Sequence, residues 1–167
     1  PNYSSNEGIL LNKDKTELIW YPSKKEDKSY VVPETVKTIK EYAFSNSYYL
    51  EQIDISTADI LERGTFYASR ILQTVKLPET VSQMGTAIFS GCYELKHVTL
   101  PAGITKIEAC TFTDCTFLQE VSFPSGIVEI GDYAFTGCIS MKEFAVPIGT
   151  VKLGKEVFQN CYAMEQL

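Results

Sequence analysis

Histidine is nearly absent from this chain. Among 167 residues only His97 carries an imidazole, so a histidine-rich metal site is excluded, and a Ser-His-Asp or Cys-His set would have to use that one ring. Basic charge is short as well. Fifteen Lys and Arg against 21 Asp and Glu leave a net charge of −6 and a pI of about 4.9, which argues against a nucleic-acid partner because phosphate neutralisation needs a basic face. No apolar run approaches the roughly 18 residues needed to cross a bilayer. No Gly-rich phosphate loop is present, and the carboxylates are scattered without an obvious pair for acid–base work. The N-terminal stretch, Pro1-Asn-Tyr-Ser-Ser-Asn-Glu7, carries no secretory pattern. If the protein is exported, its signal or anchor is expected outside this segment.

What is present is a period. Phe44, Phe66, Phe89, Phe112, Phe135 and Phe158 recur at spacings of 22, 23, 23, 23 and 23, the signature of a leucine-rich repeat solenoid. Four of the five cysteines, Cys92, Cys115, Cys138 and Cys161, keep the same spacing and so occupy one column; Cys110 stands outside it. A ladder of buried free thiols acting as small apolar fillers is the expected reading. Disulfides between successive rungs and a metal site are the alternatives, although neither framework normally spaces its cysteines at the repeat period.

Counted from each phenylalanine, further columns are apolar. Five before it stand Ile39, Leu61, Met84, Ile107, Ile130 and Leu153. Six after it stand Leu50, Leu72, Leu95, Leu118, Met141 and Met164. Nine after it come Ile53, Val75, Val98, Val121, Phe144 and Leu167, and eleven after it Ile55, Leu77, Leu100, Phe123 and Val146. Each column is expected to face inward, since one copy cannot enclose its own apolar side chains while a stack buries a continuous core. The alternation in His97-Val-Thr-Leu100 predicts a strand, stopped by Pro33, Pro78, Pro101, Pro124 or Pro147 in every copy but the second, which lacks the proline. The segment from four before the phenylalanine to the cysteine column has room for only one short helical turn. Gly85, Gly131 and Gly154 share a position with Lys40, Glu62 and Glu108, so a positive φ is not obligatory there.

The first 32 residues do not follow the repeat. Gly8–Leu11 and Leu18–Tyr21 read as a β-hairpin around the polar cluster at 12–16, with a further strand at Tyr30–Val32. The lone Trp20 is expected to pack this hairpin on the first coil, a ligand platform being the other reading. Two copies depart from the pattern. The second is one residue short through Ser56–Ile60, which predicts a distorted lateral loop. The sixth has Thr150 where others have Val36, Val81, Ile104 or Ile127. The expected architecture is therefore α/β: a right-handed leucine-rich repeat solenoid of short parallel strands and short helical or 3-10 turns. Residues 1–32 form a hairpin insertion packed on the array, and residues 33–167 supply six copies, the last incomplete. A longer array is expected, because repeat stacks need their open ends capped.

The fifth copy, Phe123-Pro-Ser-Gly-Ile-Val-Glu-Ile-Gly-Asp-Tyr-Ala-Phe135-Thr-Gly-Cys138, resembles the BspA-type leucine-rich repeat family, and the resemblance covers about residues 30–167. Residues 2–22 also look like a hairpin insertion found in these proteins. The resemblance implies an exported, surface-exposed bacterial protein with a role in adhesion to host proteins or other cells.

No enzyme is expected, and no cofactor or metal. A coincidence of Ser122, His97 and Glu120 is conceivable, but nothing supplies an oxyanion hole or pocket. The outward strand positions, from Gln52 and Asp54 to Glu143 and Ala145, hold no aromatic residue. Interface hot spots favour Tyr, Trp and Arg, and these lie four or five after the phenylalanine: Tyr48, Tyr49, Arg70, Tyr93, Phe117 and Tyr162. Stacked at the repeat period they form an aromatic ridge, either half-buried over the turn or offered to a partner. The leading expectation is an extracellular or cell-surface adhesion module binding a host or cell-surface protein or a glycan, without nucleic acid or membrane insertion. The alternative is a structural spacer within a larger surface protein.

Overall fold

The computed structural model describes residues 2–166, and among them the chain winds as stacked rungs. Four strands come first: β1 (Tyr3–Asn6), β2 (Ile9–Asn12), β3 (Glu17–Trp20) and β4 (Ser29–Val31). Two short strands per copy then follow: β5 (Thr38–Ile39) and β6 (Gln52–Asp54), β7 (Ile60–Leu61) and β8 (Thr74–Lys76), β9 (Gln83–Met84) and β10 (His97–Thr99), β11 (Lys106–Ile107) and β12 (Glu120–Ser122). The last are β13 (Glu129–Ile130) and β14 (Lys152–Leu153). The expected strand follows the leucine column in the first four copies, with parallel partners such as Val98 beside Val121 and Ile53 beside Val75, while in the fifth only an isolated bridge from Glu143 to Gln166 forms. A second parallel ladder through β5, β7 and β9, and again through β11, β13 and β14, was not foreseen. It carries the column five before the phenylalanine, so that Ile107 lies beside Ile130.

The columns fill the interior. Five phenylalanines, Phe44 through Phe135, are fully buried. The six rings stack with centroids 5.2 to 5.9 Å apart. In the cysteine column Cys92, Cys115 and Cys138 are buried and Cys161 half-buried, all as free thiols, and the column does more than fill space. The Cys92 Sγ donates to the Phe66 carbonyl at 3.2 Å, Cys115 to Phe89 at 3.1 Å and Cys138 to Phe112 at 3.3 Å. Ser69, in the same column, donates its hydroxyl to the Phe44 carbonyl at 2.6 Å. The position thus needs a small donor that satisfies a buried carbonyl of the previous copy, which Ser and Cys both supply. At the last rung the inward columns lie open: Leu153 and Val146 are exposed, with nothing stacked beyond them among the described residues. Leu167 of the column nine after the phenylalanine lies outside the described residues.

The helical turn does not form. Among the described residues no helix is present, because residues two before and two after each phenylalanine take left-handed backbone, as Cys110 (φ 58) and Asp114 (φ 57) do around Phe112. The intervening residues make i to i+3 turns, and the remaining amides point across to the next copy. Cys110, Phe112 and Asp114 donate to the carbonyls of Asp132, Ala134 and Thr136 at 2.7–2.9 Å. A helix would have directed those donors along its own axis. Gly131 serves a different purpose: a Cβ there would lie 2.7 Å from the Ala109 amide nitrogen of the previous rung.

The N-terminal region is less foreign to the repeat than its sequence. Leu18 lies beside Ile39, Tyr30 beside Ile53, and the Tyr21 amide donates to the Ala43 carbonyl as Phe44 does to Thr65. The Tyr21 ring sits 5.0 Å from Phe44, so residues 17–32 make an abbreviated rung with Tyr21 in the phenylalanine column. Burial pushes the Tyr30 hydroxyl up to about 12. Strands β2 and β1 continue the sheet antiparallel beyond β3 and close this end over Ile9 and Leu11. Trp20 does not pack inward as expected; it is 50% exposed. The β2–β3 register shifts at Leu10/Leu11, and Trp20 lies beside Leu10 on the outer face.

The short second copy closes its lateral loop with a Ser56 amide to Asp54 Oδ1 bond of 2.9 Å and buries Ala58 where other copies place Val36 or Val81. Strand register survives there, Thr38 lying beside Ile60. Pairing breaks one rung later, between β8 and β10 and between β9 and β11, while the turn ladder runs on unbroken. It breaks again between β12 and residues 143–145, where Phe144 takes a place that Ile or Val holds in earlier copies. The larger ring wedges between Phe123, Phe135 and Phe158 in edge-on contacts.

Candidate partner-binding surface

The turns and the strands present two different surfaces. On the strand side several carboxylates are answered across rungs. Lys76 Nζ lies 2.9 Å from Asp54, Lys28 3.1 Å from Glu51, and Glu129 is held between Lys152 at 2.8 Å and Lys106 at 3.5 Å. The hydrogen bond from Lys152 holds the Glu129 carboxyl below its ordinary value; hydrogen bonding from Ser56, reinforced by Lys76, does so for Asp54. His97 Nδ1 comes to 3.9 Å from Glu120, but register places Ser122 beside Thr99 rather than beside the imidazole. The three residues therefore do not form a nucleophile–base–acid relay. A groove of about 650 Å³ opens where β12 loses its neighbour, floored by Val121, Phe123 and Phe144. Among the described residues no three His, Cys, Asp or Glu side chains are grouped to hold a metal ion.

On the turn side, Tyr48, Arg70, Tyr93 and Tyr162 all hold the position four after the phenylalanine, with Tyr49 and Phe117 one place on. All six are exposed, Tyr48 to 58% and Tyr162 to 76%, while Tyr49, Tyr93 and Phe117 each keep more than half of their surface covered. The backbone beneath is bonded from copy to copy: the Glu94 amide donates to the Arg70 carbonyl at 3.0 Å and Phe117 to Tyr93 at 3.0 Å. The Arg70 guanidinium lies 5.3 Å over the Tyr93 ring, and the Tyr162 hydroxyl donates to Asn160 Oδ1 at 3.0 Å. Arg70 and Tyr93 are thus brought together, while Tyr162 stands three rungs further along.

Sequence reasoning missed a second aromatic group. Tyr42 and Tyr67 are exposed with ring centroids 6.0 Å apart, edge-on, and Arg63 lies 5.9 Å over Tyr42. Tyr133 and Ile139 are exposed on the same side. The available signal was the residue two before the phenylalanine, Tyr42 and Tyr133, which a helical reading does not mark as outward. Among exposed aromatic side chains only Tyr3 and Trp20 lie away from the turns.

The period behind this geometry matches a family model. The model of the BspA type leucine-rich repeat region aligns in six copies, over residues 23–58 and 37–165. The chain belongs to the BspA-type leucine-rich repeat family. No curated protein matches it. Among solved structures it is similar to a leucine-rich repeat protein from Eubacterium ventriosum, at 29% identity and a TM-score of 0.76, covering 95% of this chain and 50% of that one. It is similar also to a leucine-rich cell surface protein from Faecalibacterium prausnitzii, at 25% identity and 0.71, covering 99% and 38%. A leucine-rich repeat protein from T. pallidum shares the fold at 22% identity and 0.70, covering 98% and 87%. This BspA-type chain spans half of the E. ventriosum protein and less of the F. prausnitzii one. The repeat family and its fold are generally non-catalytic, and the fold is consistent with a protein-interaction module. No helix among the described residues is long and apolar enough to cross a membrane.

Proposed function

We propose that this BspA-type array is a non-enzymatic adhesion module of a bacterial cell-surface protein, presenting its turn-side ridge to a host or cell-surface protein or glycan. The observation that carries this reading is the segregation of exposed aromatics onto the turns, away from a strand face where several charges are answered by neighbouring rungs. Aromatic and arginine side chains dominate binding energy because they bury much area at small entropic cost. The description of the F. prausnitzii relative as a cell surface protein supports an extracellular position, and the partial coverage of relatives supports a longer array. The polar strand face, free of exposed aromatics, favours a second reading, a structural spacer that binds nothing.

One experiment separates them. Beads coated with the chain are tested for attachment to cultured epithelial cells, beside beads carrying Tyr48→Ser, Tyr93→Ser and Tyr162→Ser together. Loss of attachment with an unchanged melting temperature supports the ridge. Equal attachment by both chains refutes it, and attachment by neither favours the spacer.

A further inference from the structure

We propose that the array contains a hinge: residues 73–84 part from residues 96–108 on the strand side, while the turn between them, residues 85–95, holds as a spine. The inference stands apart from the adhesion reading, because it rests on how the rungs are bonded to one another.

Most rung interfaces are tied on the strand side by the same backbone bonds. The residue four before the phenylalanine donates one rung back: Glu62 to the Ile39 carbonyl at 2.9 Å, Gly85 to Leu61 at 2.8 Å, Gly131 to Ile107 at 2.8 Å and Gly154 to Ile130 at 2.7 Å. The residue seven after it does likewise, Gln73 to Glu51 at 2.8 Å and Gln119 to Lys96 at 2.9 Å. Among the described residues Glu108 makes no such bond to Met84, Lys96 none to Gln73, and Thr105 and Lys106 none to Ser82. Both ladders are therefore lost at one interface, over one continuous stretch. The opening beside Phe144 is different, since pairing of β13 with β14 closes its far end.

Side chains do not make good the loss. Elsewhere ion pairs bridge neighbouring rungs: Lys40 with Glu62, Lys76 with Asp54 and Lys106 with Glu129. At the open interface the corresponding positions hold Gly85 and Glu108, Thr99 and Lys76, and Gln83 and Lys106. None of these can form an ion pair. The packing follows. Val75, Leu77 and Met84 are only partly buried, whereas the same columns are buried one rung earlier at Ile53, Ile55 and Leu61 and one rung later at Val98, Leu100 and Ile107. A groove of about 560 Å³ opens there, lined by Met84, Gly85, Lys106 and Glu108 among others.

The turn is bonded in both directions. Phe66 donates to the Ile88 carbonyl at 2.9 Å and Glu94 to Arg70 at 3.0 Å, while Ala87, Phe89 and Gly91 donate forward to Ala109, Thr111 and Thr113 at 2.8–3.0 Å. The Phe89 ring stacks on Phe66 at 5.6 Å and on Phe112 at 5.4 Å. One edge is thus held and the opposite edge is free, the arrangement of a hinge with a low-stability side. Parting uncovers Val98, Leu100 and Ile107, so the closed form predominates. It also tilts the two halves of the ridge toward each other about Tyr93, which lies on the spine.

The test is thiol labelling of the folded chain carrying Ile107→Cys, with a maleimide in increasing urea, each position being read from fragment ions in mass spectrometry. Cys92 and Cys115 report on the spine, and Cys138 reports global unfolding in the same molecule. The cysteine of Ile107→Cys is expected to label at least about tenfold faster than Cys138, with a shallower urea dependence because parting exposes little surface. Ile130→Cys makes the same truncation in the same column at a closed interface, and its cysteine is expected to label in step with Cys138. Labelling of Ile107→Cys in step with Cys138 would overturn the proposal. So would fast, urea-insensitive labelling of Ile130→Cys, which would make the whole strand side loose, or of Cys92 and Cys115, which would mean that the spine opens too.

Discussion

Replacing Phe112 by alanine tests the stack at its centre. The ring is fully buried between Phe89 at 5.4 Å and Phe135 at 5.2 Å, both nearly parallel to it. Its amide donates to the Ala134 carbonyl at 2.8 Å, and its carbonyl accepts from the Cys115 amide and the Cys138 thiol. The backbone is thus tied to its own turn and to the next rung, and the rungs cannot close over the vacated volume. Phe→Ala changes cost about 3–5 kcal/mol in cores, more where collapse is prevented. Each lost ring pair adds about 0.5–1.5 kcal/mol beyond its area. We therefore expect about 4–5 kcal/mol, read from urea unfolding by circular dichroism. Phe158→Ala is the internal control. That ring is only half-buried and touches a phenylalanine stack on one side, so about 2 kcal/mol is expected. A cost under about 1 kcal/mol for Phe112, or equal costs at both sites, would refute a stack held rung by rung.

Further predictions concern the cysteine column and the glycines. Burial raises the thiols of Cys92, Cys115 and Cys138 well above their ordinary value. The folded state therefore holds protons that the unfolded chain releases above about pH 8.5. Stability from these groups is complete below that pH and falls above it, by up to about 1.4 kcal/mol per pH unit for each thiol. Under a reducing agent, the melting temperature should fall between about pH 8.5 and 10, and much less in a triple Cys→Ser variant. Cys115→Ser alone should keep the bond to the Phe89 carbonyl, as Ser69 keeps its own, while Cys115→Val should be the worse of the two despite its greater hydrophobicity. Gly131→Ala should cost about 1–3 kcal/mol although its φ is negative, because the new Cβ meets backbone; a neutral result in thermal denaturation would show that the rungs part easily there.

The period, the six copies and the inward columns were readable because the stack demands the same apolar shape at the same place each time. Phe44 to Phe158 could not keep that spacing for another reason. The helical turn was misread because residue count alone distinguishes poorly between one helical turn and two tight turns. Asn46, Gly91, Asp114, Gly137 and Asn160, all two after the phenylalanine, are the types that tolerate left-handed backbone, and they carried the correct answer. The abbreviated first rung was hidden because Tyr21 and Leu18 are three apart where Phe44 and Ile39 are five apart. Only pairing with β5 reveals the equivalence. The breaks in the sheets depend on how Phe144 and its neighbours share volume, which no single position declares. On the ridge, the columns were legible, but the contact of Arg70 with the Tyr93 ring one rung on needed the structure.

The size of the ridge limits how tightly one array can hold a partner. A buried aromatic side chain contributes about 150–250 Å², and with roughly half of that still exposed each ridge residue offers about 100 Å². The six together offer about 600 Å², below the roughly 800 Å² per side of a standard interface. Contacts of this size belong to weak or transient complexes unless they are repeated. Repetition on one surface converts later contacts into intramolecular ones, with gains of about 10²–10⁴ in avidity. The free chain is therefore expected to attach to cells poorly, and the same chain displayed densely on beads to attach well, when both are compared at equal total concentration. If the free monomer instead binds with nanomolar affinity, the ridge cannot be the whole contact. The groove floored by Phe123 and Phe144, or the Tyr42–Tyr67 group, would then have to contribute.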